Sequence, residues 1–302
     1  MRKRTDRRTV GGMSDTALLF ILLSAVMHAG WNLILKTTRH KLAFNVFMHA
    51  SAIGIFSLYW LLRDGAIPPP AGPVLPLALS AGFFFAIYHA CLTASYERAD
   101  ISLAYPLTTT GPLYIPLWAY LFLNERLSLL GMGGILVVFL GAYILQMREF
   151  SRAGLSFPLL HLRLPGVLFA LSAGLFYSVG AIVDKQGVTV ADVFVYTYYL
   201  DIALFLFLLA YALMTNSPNR FLEEIRVHWL QGIAAGLILF LSFITYRIGL
   251  QMAKVSYATS VRQVSAIAGV LGGILLFRER FGRIRLLGAG LIVLGVICIR
   301  QG

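Results

Sequence analysis

Ten apolar stretches of about twenty residues run through this chain, and the second five repeat the first five. They cover residues 16–35, 43–62, 74–95, 101–122, 129–147, 165–184, 193–214, 229–250, 255–277 and 285–300. A hydrocarbon layer of ~30 Å needs roughly 20 apolar residues at 1.5 Å of helical rise each. Of 302 residues, 59% are hydrophobic and only 13% charged, too few charges to cover a soluble surface. The pattern predicts an all-α integral membrane protein with ten transmembrane helices in two five-helix repeats.

The repeat is clearest at an offset of 154 residues. Ala81-Gly82 recurs as Ala235-Gly236, Ala99 as Ala253, Ser102 as Ser256 and Ala104 as Ala258. Glu125-Arg126 recurs as Glu279-Arg280, Gly134 as Gly288 and Gly141 as Gly295. Nearer the start the offset is about 149, where Lys36 matches Lys185. Each half holds five spans, an odd number, so the second half enters the membrane from the opposite side. Inverted repeats of this kind characterise secondary transporters, whose solute site lies near the midplane between the halves. A membrane scaffold, a sensor or a membrane-embedded enzyme is the alternative.

Several segments resemble the paired domains of the EamA family, within the drug/metabolite transporter superfamily. They are Trp31-Asn32 with Lys36, Ser102-Leu103-Ala104-Tyr105-Pro106 and Asn124-Glu125-Arg126-Leu127. In the second half they are Val255-Ser256-Tyr257-Ala258 and Arg278-Glu279-Arg280-Phe281. The resemblance covers residues 16–300 and divides the chain into a basic tail (1–15), a first repeat (16–147), a linker (148–164) and a second repeat (165–300). It implies a carrier of the inner (plasma) membrane with both termini cytoplasmic. It does not choose among amino acids, nucleosides, sugars and other metabolites. The run from His28 to Lys36 also resembles a branch found beside phosphonate-utilisation proteins.

Charge alone does not orient the chain. With the N-terminus inside, the inner segments carry ten Lys/Arg and the outer loops thirteen, so the positive-inside rule has no support beyond the tail. The tail precedes too long an apolar run for a cleaved signal, and Met13 is an alternative start. The formal charge of +12 reflects loops facing anionic headgroups. No basic stripe with stacking aromatics points to nucleic acid. Cys91 and Cys298 fall inside spans, which leaves no disulfide framework and no metal centre. Nucleotide-binding, zinc-protease and serine-hydrolase motifs are missing, so no cofactor and no enzymatic activity are expected. The expected partners are a small-molecule solute and lipid, with a homodimer possible.

Helix rise places candidate site residues in two layers about the midplane. His28, His49, Tyr88 and Thr108 fall at about 18–21 Å from the inner face, and Tyr177, Asp201, Ser242 and Arg262 at roughly 10–12 Å. Arg262 stands out, because an arginine near the centre of a helix costs about 2.5–3.5 kcal/mol. Its fork of donors matches carboxylate or phosphonate oxygens. Gln263 beside it, with Tyr88, Thr108, Tyr177, Ser242 and Asn32, completes the candidate solute contacts. Asp201 is the one acidic residue placed mid-span, either pairing with Arg262 or carrying a coupling proton, with His28 and His49 as proton-coupling candidates. Pro106 and Pro112 are candidate hinges in span four, where proline removes backbone donors. Span nine lacks prolines and carries Gly269 and Gly273 in a spacing that favours close helix packing.

The expected function is secondary active transport, by alternating access, of a small polar or amphiphilic metabolite. An amino acid or related zwitterion, exported or exchanged, comes first and an organophosphonate second. A reporter fused after Gly302 should be active only in the cytoplasm; activity confined to the outside would reverse the orientation.

Overall fold

The computed structural model describes residues 12–98, 107–147, 164–215, 218–277 and 282–302. The basic tail up to residue 11, linker residues 148–163, the 101–106 segment with Pro106, and Glu279-Arg280 lie outside the described residues. The helices are α1 (Asp15–Thr37), α2 (Lys41–Asp64), α3 (Val74–Arg98), α4 (Gly111–Leu123), α5 (Leu129–Gln146), α6 (Pro165–Val190), α7 (Val193–Thr215), α8 (Pro218–Met252), α9 (Val255–Val261), α10 (Val264–Phe277) and α11 (Arg283–Gln301). Among the described residues, nine segments are long and apolar enough to cross a membrane, with α9 and α10 together making one, and α4 is a shorter apolar helix. The chain is a multi-pass membrane protein built on the expected spans.

Local sequence sets the helix ends. Ser14 and Ser128 Oγ accept from the backbone N–H of Ala17 and Gly131, at 3.3 and 2.9 Å, starting α1 and α5. Asp192 Oδ1 accepts from Phe194 and Val195 at the start of α7. Gly65 and Asn124 close α2 and α4 in the left-handed region, at φ 73° and 52°. The long α8 is really two helices joined at His228, whose backbone leaves the helical region (φ −120°, ψ 27°). Its membrane-crossing part therefore begins where the apolar run begins.

The repeats interlock. The largest helix interfaces, α5 with α11, α3 with α6, α1 with α8, α3 with α7 and α2 with α8, each join one half of the chain to the other. They also come in pairs: exchanging the halves turns α3–α6 into α8–α1 and α3–α7 into α8–α2. The glycines of the sequence repeat occupy these contacts. A Cβ at Gly82 would lie 2.8 Å from Ala203 on α7, and one at Gly236 would lie 2.7 Å from Ser51 on α2. Between α5 and α11, Cβ atoms at Gly141 and Gly288 would each sit 2.8 Å from the other's carbonyl oxygen. Gly134 and Gly295 repeat that contact one step along, at 2.8 and 2.7 Å. The helices run antiparallel with backbones touching, as small residues allow in lipid. The bundles are thus mixed: α1, α2 and α8 on one side, α3, α6 and α7 on the other.

Spans four and nine are both interrupted, at positions 153 residues apart, one residue short of the repeat offset. Thr109-Thr110 precede α4, and Arg262-Gln263 separate α9 from α10. Each interruption is a tightened turn with i→i+3 bonds: Thr110 N–H to Leu107 O at 3.3 Å, and Gln263 N–H to Ser260 O at 3.0 Å. Proline is not the common cause, because span nine has none. Pro112 lies in the first turn of α4, where its missing N–H costs nothing, so it starts a helix rather than bending one. Side-chain competition is shared by both: Thr110, Thr259 and Ser260 hydroxyls each bond a carbonyl three or four residues back. The expected packing role of Gly269 is corrected too. A Cβ there would meet nothing within 4 Å, and the close approach in α10 is at Gly272, against Leu33.

Gly288→Ala should lower the melting temperature in detergent, by about 1–3 kcal/mol of overpacking. Gly290→Ala, with open space around it, should be neutral or slightly stabilising. Equal effects would contradict the backbone contact.

Candidate functional site

The turn between α9 and α10 aims Arg262 into the centre of the molecule. Its Nη2 donates to His28 Nδ1 on α1 at 3.2 Å, and its Cζ lies 4.1 Å from the Tyr246 ring centroid on α8. A guanidinium can only donate, so His28 Nδ1 accepts and carries no proton. Arg262 Nε is buried and makes no hydrogen bond within the protein. The expected pairing of Arg262 with Asp201 is not formed. Asp201, on α7, faces α2 instead and meets His49 Nδ1 through Oδ1 at 2.6 Å, both residues being buried. Its Oδ2 is buried without a partner, as is Asn45 Oδ1 one turn from His49.

Aromatic groups and a third histidine complete the surroundings. Tyr88 on α3 packs edge-on to His89 at 4.9 Å and tilts against Tyr177 on α6 at 5.5 Å. Gly111 makes room for the Tyr177 ring, since a Cβ there would sit 2.6 Å from its Cδ1. His89 lies within electrostatic reach of both His28 and His49. Arg247 on α8 reaches Asp201 and Tyr177 electrostatically and pairs through Nε with Asp184 Oδ1 on α6 at 2.9 Å. Tyr246 interacts with Tyr177, Arg262 and Arg247. These groups form a ring of polar side chains drawn from α1, α2, α3, α6, α7, α8 and the α9–α10 turn.

The two ends of this ring differ in how closely they are packed. Every residue of α9 is buried, yet Arg262 to Val270 are all half-exposed. Val264, Ala266, Ile267 and Val270 of that stretch pack against the core, and the rest of their surface is left uncovered by the chain. His28, Tyr88, His89 and Tyr177 are half-exposed as well, although they sit within the helix ring. The opposite end, where α1 and α9 begin and α8 ends, is sealed by polar contacts. Glu125 accepts from Val255 N–H at 2.7 Å and from Ser256 Oγ at 3.1 Å, capping α9. Lys185 Nζ donates to Leu250 O and Ala253 O, both at 2.8 Å, at the C-terminal end of α8. Lys254 Nζ donates to Arg126 O at 2.7 Å.

The other expected contacts divide. Gln263 is half-exposed beside Arg262. Asn32 is half-buried, with Nδ2 bonded to His28 O on its own helix at 2.7 Å. Thr108 is buried. Ser242 is not a lining residue: it is fully buried in a reciprocal clamp, Ser24 Oγ to Ser242 O at 3.0 Å and Ser242 Oγ to Ser24 O at 3.1 Å. It joins α1 to α8. His89, Tyr246 and the Arg247–Asp184 pair escaped the sequence reading. Asp184 and Arg247 lie near expected span ends, where charges pass for headgroup contacts. Alternate placement of a cation and an anion on facing spans was the available signal.

A model of the EamA-like transporter family matches residues 15–147 and 164–301, once for each repeat. No curated protein matches the chain. Among solved structures, the crystal structure of another protein aligns with TM-score 0.75 at 18% identity, covering 94% of this chain and 96% of that one. At that identity the likeness concerns the fold.

Removing one partner of the Arg247–Asp184 pair, as in Asp184→Ala, should cost about 3–5 kcal/mol by leaving a buried charge. Asp184→Leu with Arg247→Met should recover most of the melting temperature. A double variant no better than the single one would contradict this.

Proposed function

The chain belongs to the EamA-like transporter family, and on that premise we propose that it is a secondary active carrier working by alternating access. Its solute is a small polar or amphiphilic metabolite with an anionic group. An amino acid or related zwitterion, exported or exchanged across the inner membrane, suits the site best. The observation that carries this reading is Arg262: a permanent cation deep in the molecule, held by a neutral imidazole and an aromatic ring rather than a carboxylate. Its buried Nε is left free to donate. An incoming carboxylate supplies both the missing charge and the missing acceptor. Tyr88, Tyr177 and Gln263 bound the same space, and the tightened turns at Thr109-Thr110 and Arg262-Gln263 are natural pivots.

The interlocked interfaces define what moves. The repeats cannot rock as separate halves without breaking the α1–α8 and α3–α6 contacts. The mixed bundles, α1/α2/α8 against α3/α6/α7, can tilt while keeping them. The capped end formed by Glu125, Lys185 and Lys254 is then the closed gate of the present state. With both termini cytoplasmic, as the family implies, the site faces outward here.

Purified protein in liposomes should accelerate counterflow of a labelled solute from an amino-acid panel. Arg262→Gln should reduce that rate at least tenfold, the worth of one charge-assisted hydrogen bond of about 1.5–3 kcal/mol. Counterflow unchanged in Arg262→Gln would remove the residue from the site. No counterflow of any solute would favour a scaffold or sensor.

A further inference from the structure

Arg262 and Asp201 are the two charges of the central ring that lack a full counter-ion. Arg247 and Asp184 neutralise each other at 2.9 Å. Arg262 ends on His28, Asp201 ends on His49, and His89 lies within reach of both imidazoles. Three histidines from three successive helices therefore stand between the cation and the anion, two of them in direct contact with a charge. The other charged or titratable groups facing this array are Arg247, which acts on Asp201, and Tyr177 and Tyr246, which act on or near Arg262. Asp201 Oδ2 and Asn45 Oδ1, both buried and unpartnered, leave acceptor sites for one more proton.

We propose that the Asp201–His49 pair binds the coupling proton of this carrier, coupled through His89 to the His28–Arg262 end, so that one proton and the anionic group of one solute occupy the protein together, which takes the exchange form of the carrier reading rather than its export form. The inference rests on the carrier reading above. With the histidines neutral, the negative charge of Asp201 offsets the positive charge of Arg262 across the ring. A proton taken up at Asp201 and shared with His49 cancels the carboxylate. Arg262 is then an uncompensated cation in a low-dielectric space, where opposite charge is strongly favoured. An anionic solute restores the balance. Conversely, a bound anion favours the proton, since coupling between two ligands is reciprocal. Loss of the proton on the far side returns Asp201 to its charged state and weakens the hold on the solute. No oxidant, metal or further group is needed, because the proton arrives from one aqueous side and leaves to the other.

The test uses the full chain in liposomes with the membrane potential clamped at zero. L-alanine, L-glutamate and 2-aminoethylphosphonate serve as trial solutes. An exchanged solute should accumulate about tenfold per pH unit of imposed gradient, the equilibrium value for one proton per solute. Asp201→Asn, which keeps a hydrogen-bonding amide opposite His49 but binds no proton, should bring accumulation to unity at every gradient, and Asp201→Glu should restore it. His49→Gln provides a second route if Asp201→Asn does not fold. Wild-type protein that exchanges solute without responding to the gradient overturns the proposal while leaving the carrier intact. Gradient-driven accumulation persisting in both Asp201→Asn and His49→Gln overturns it as well. If no trial solute is exchanged, the carrier reading fails for these solutes and nitrogen-15 spectra of the histidines decide the rest. Imidazoles of His28, His49 and His89 that change protonation as a linked set between about pH 5 and 9, and lose that linkage in Asp201→Asn, support the proton site. Imidazoles fixed in one state overturn it.

Discussion

Two helix backbones touch where Gly141 meets Gly288 and Gly134 meets Gly295, and the remaining packing is arranged around that contact. Lipid supplies no hydrophobic force between apolar helices, so close van der Waals approach has to hold the bundle. Only glycine lets a carbonyl oxygen of one helix come within 3 Å of where the other's Cβ would stand. The contact joins the last helix of each repeat in antiparallel fashion. That fixes the pseudo-twofold relation between the repeats, and the paired interfaces α3–α6 with α1–α8, and α3–α7 with α2–α8, follow from it. Interlocking also means that the central polar ring carries side chains from both halves.

This arrangement concentrates polarity in one place. Two arginines, two aspartates, three histidines and three tyrosines meet in a ring that helices from both repeats complete. Charged groups in a membrane cost free energy unless partnered, and most of these are. Asp184 and Arg247 form a closed pair, and Asp201 takes a bond from His49. Arg262 is the exception, with an imidazole and a ring face but no carboxylate. The difference sets Arg262 apart from the Arg247–Asp184 pair more clearly than depth in the membrane does.

Much of this was legible beforehand, and the misses share one cause. Span positions followed from apolar run length, and ends such as Ser14, Asn124 and Ser128 follow from local capping chemistry. Arg262, Asp201, His28 and His49 stood out because charge or imidazole in an apolar run is costly. Their pairing was not legible. Asp201 and Arg262 share a depth, but the azimuth of α7 turns the carboxylate toward α2 and His49. Ser242 has the depth of a lining residue and spends its hydroxyl on Ser24. His89, Asp184 and Arg247 sat close enough to span ends to pass for interfacial residues. The break in span nine, without proline, depends on Thr259 and Ser260 competing for backbone carbonyls.

Hydropathy and the repeat by themselves determined the fold class, the apolar spans and the two-repeat architecture, because the bilayer admits few solutions for an apolar chain of this length, and short motifs carried the family resemblance. Helix rotation and partner choice were decided only by tertiary packing. A one-dimensional pattern specifies how deep a side chain lies, whereas the direction it points depends on which neighbour its glycines and bulky residues allow to approach. That is why Arg262 and Asp201 could be found in the sequence, while the partners they take, an imidazole each rather than one another, required the folded molecule.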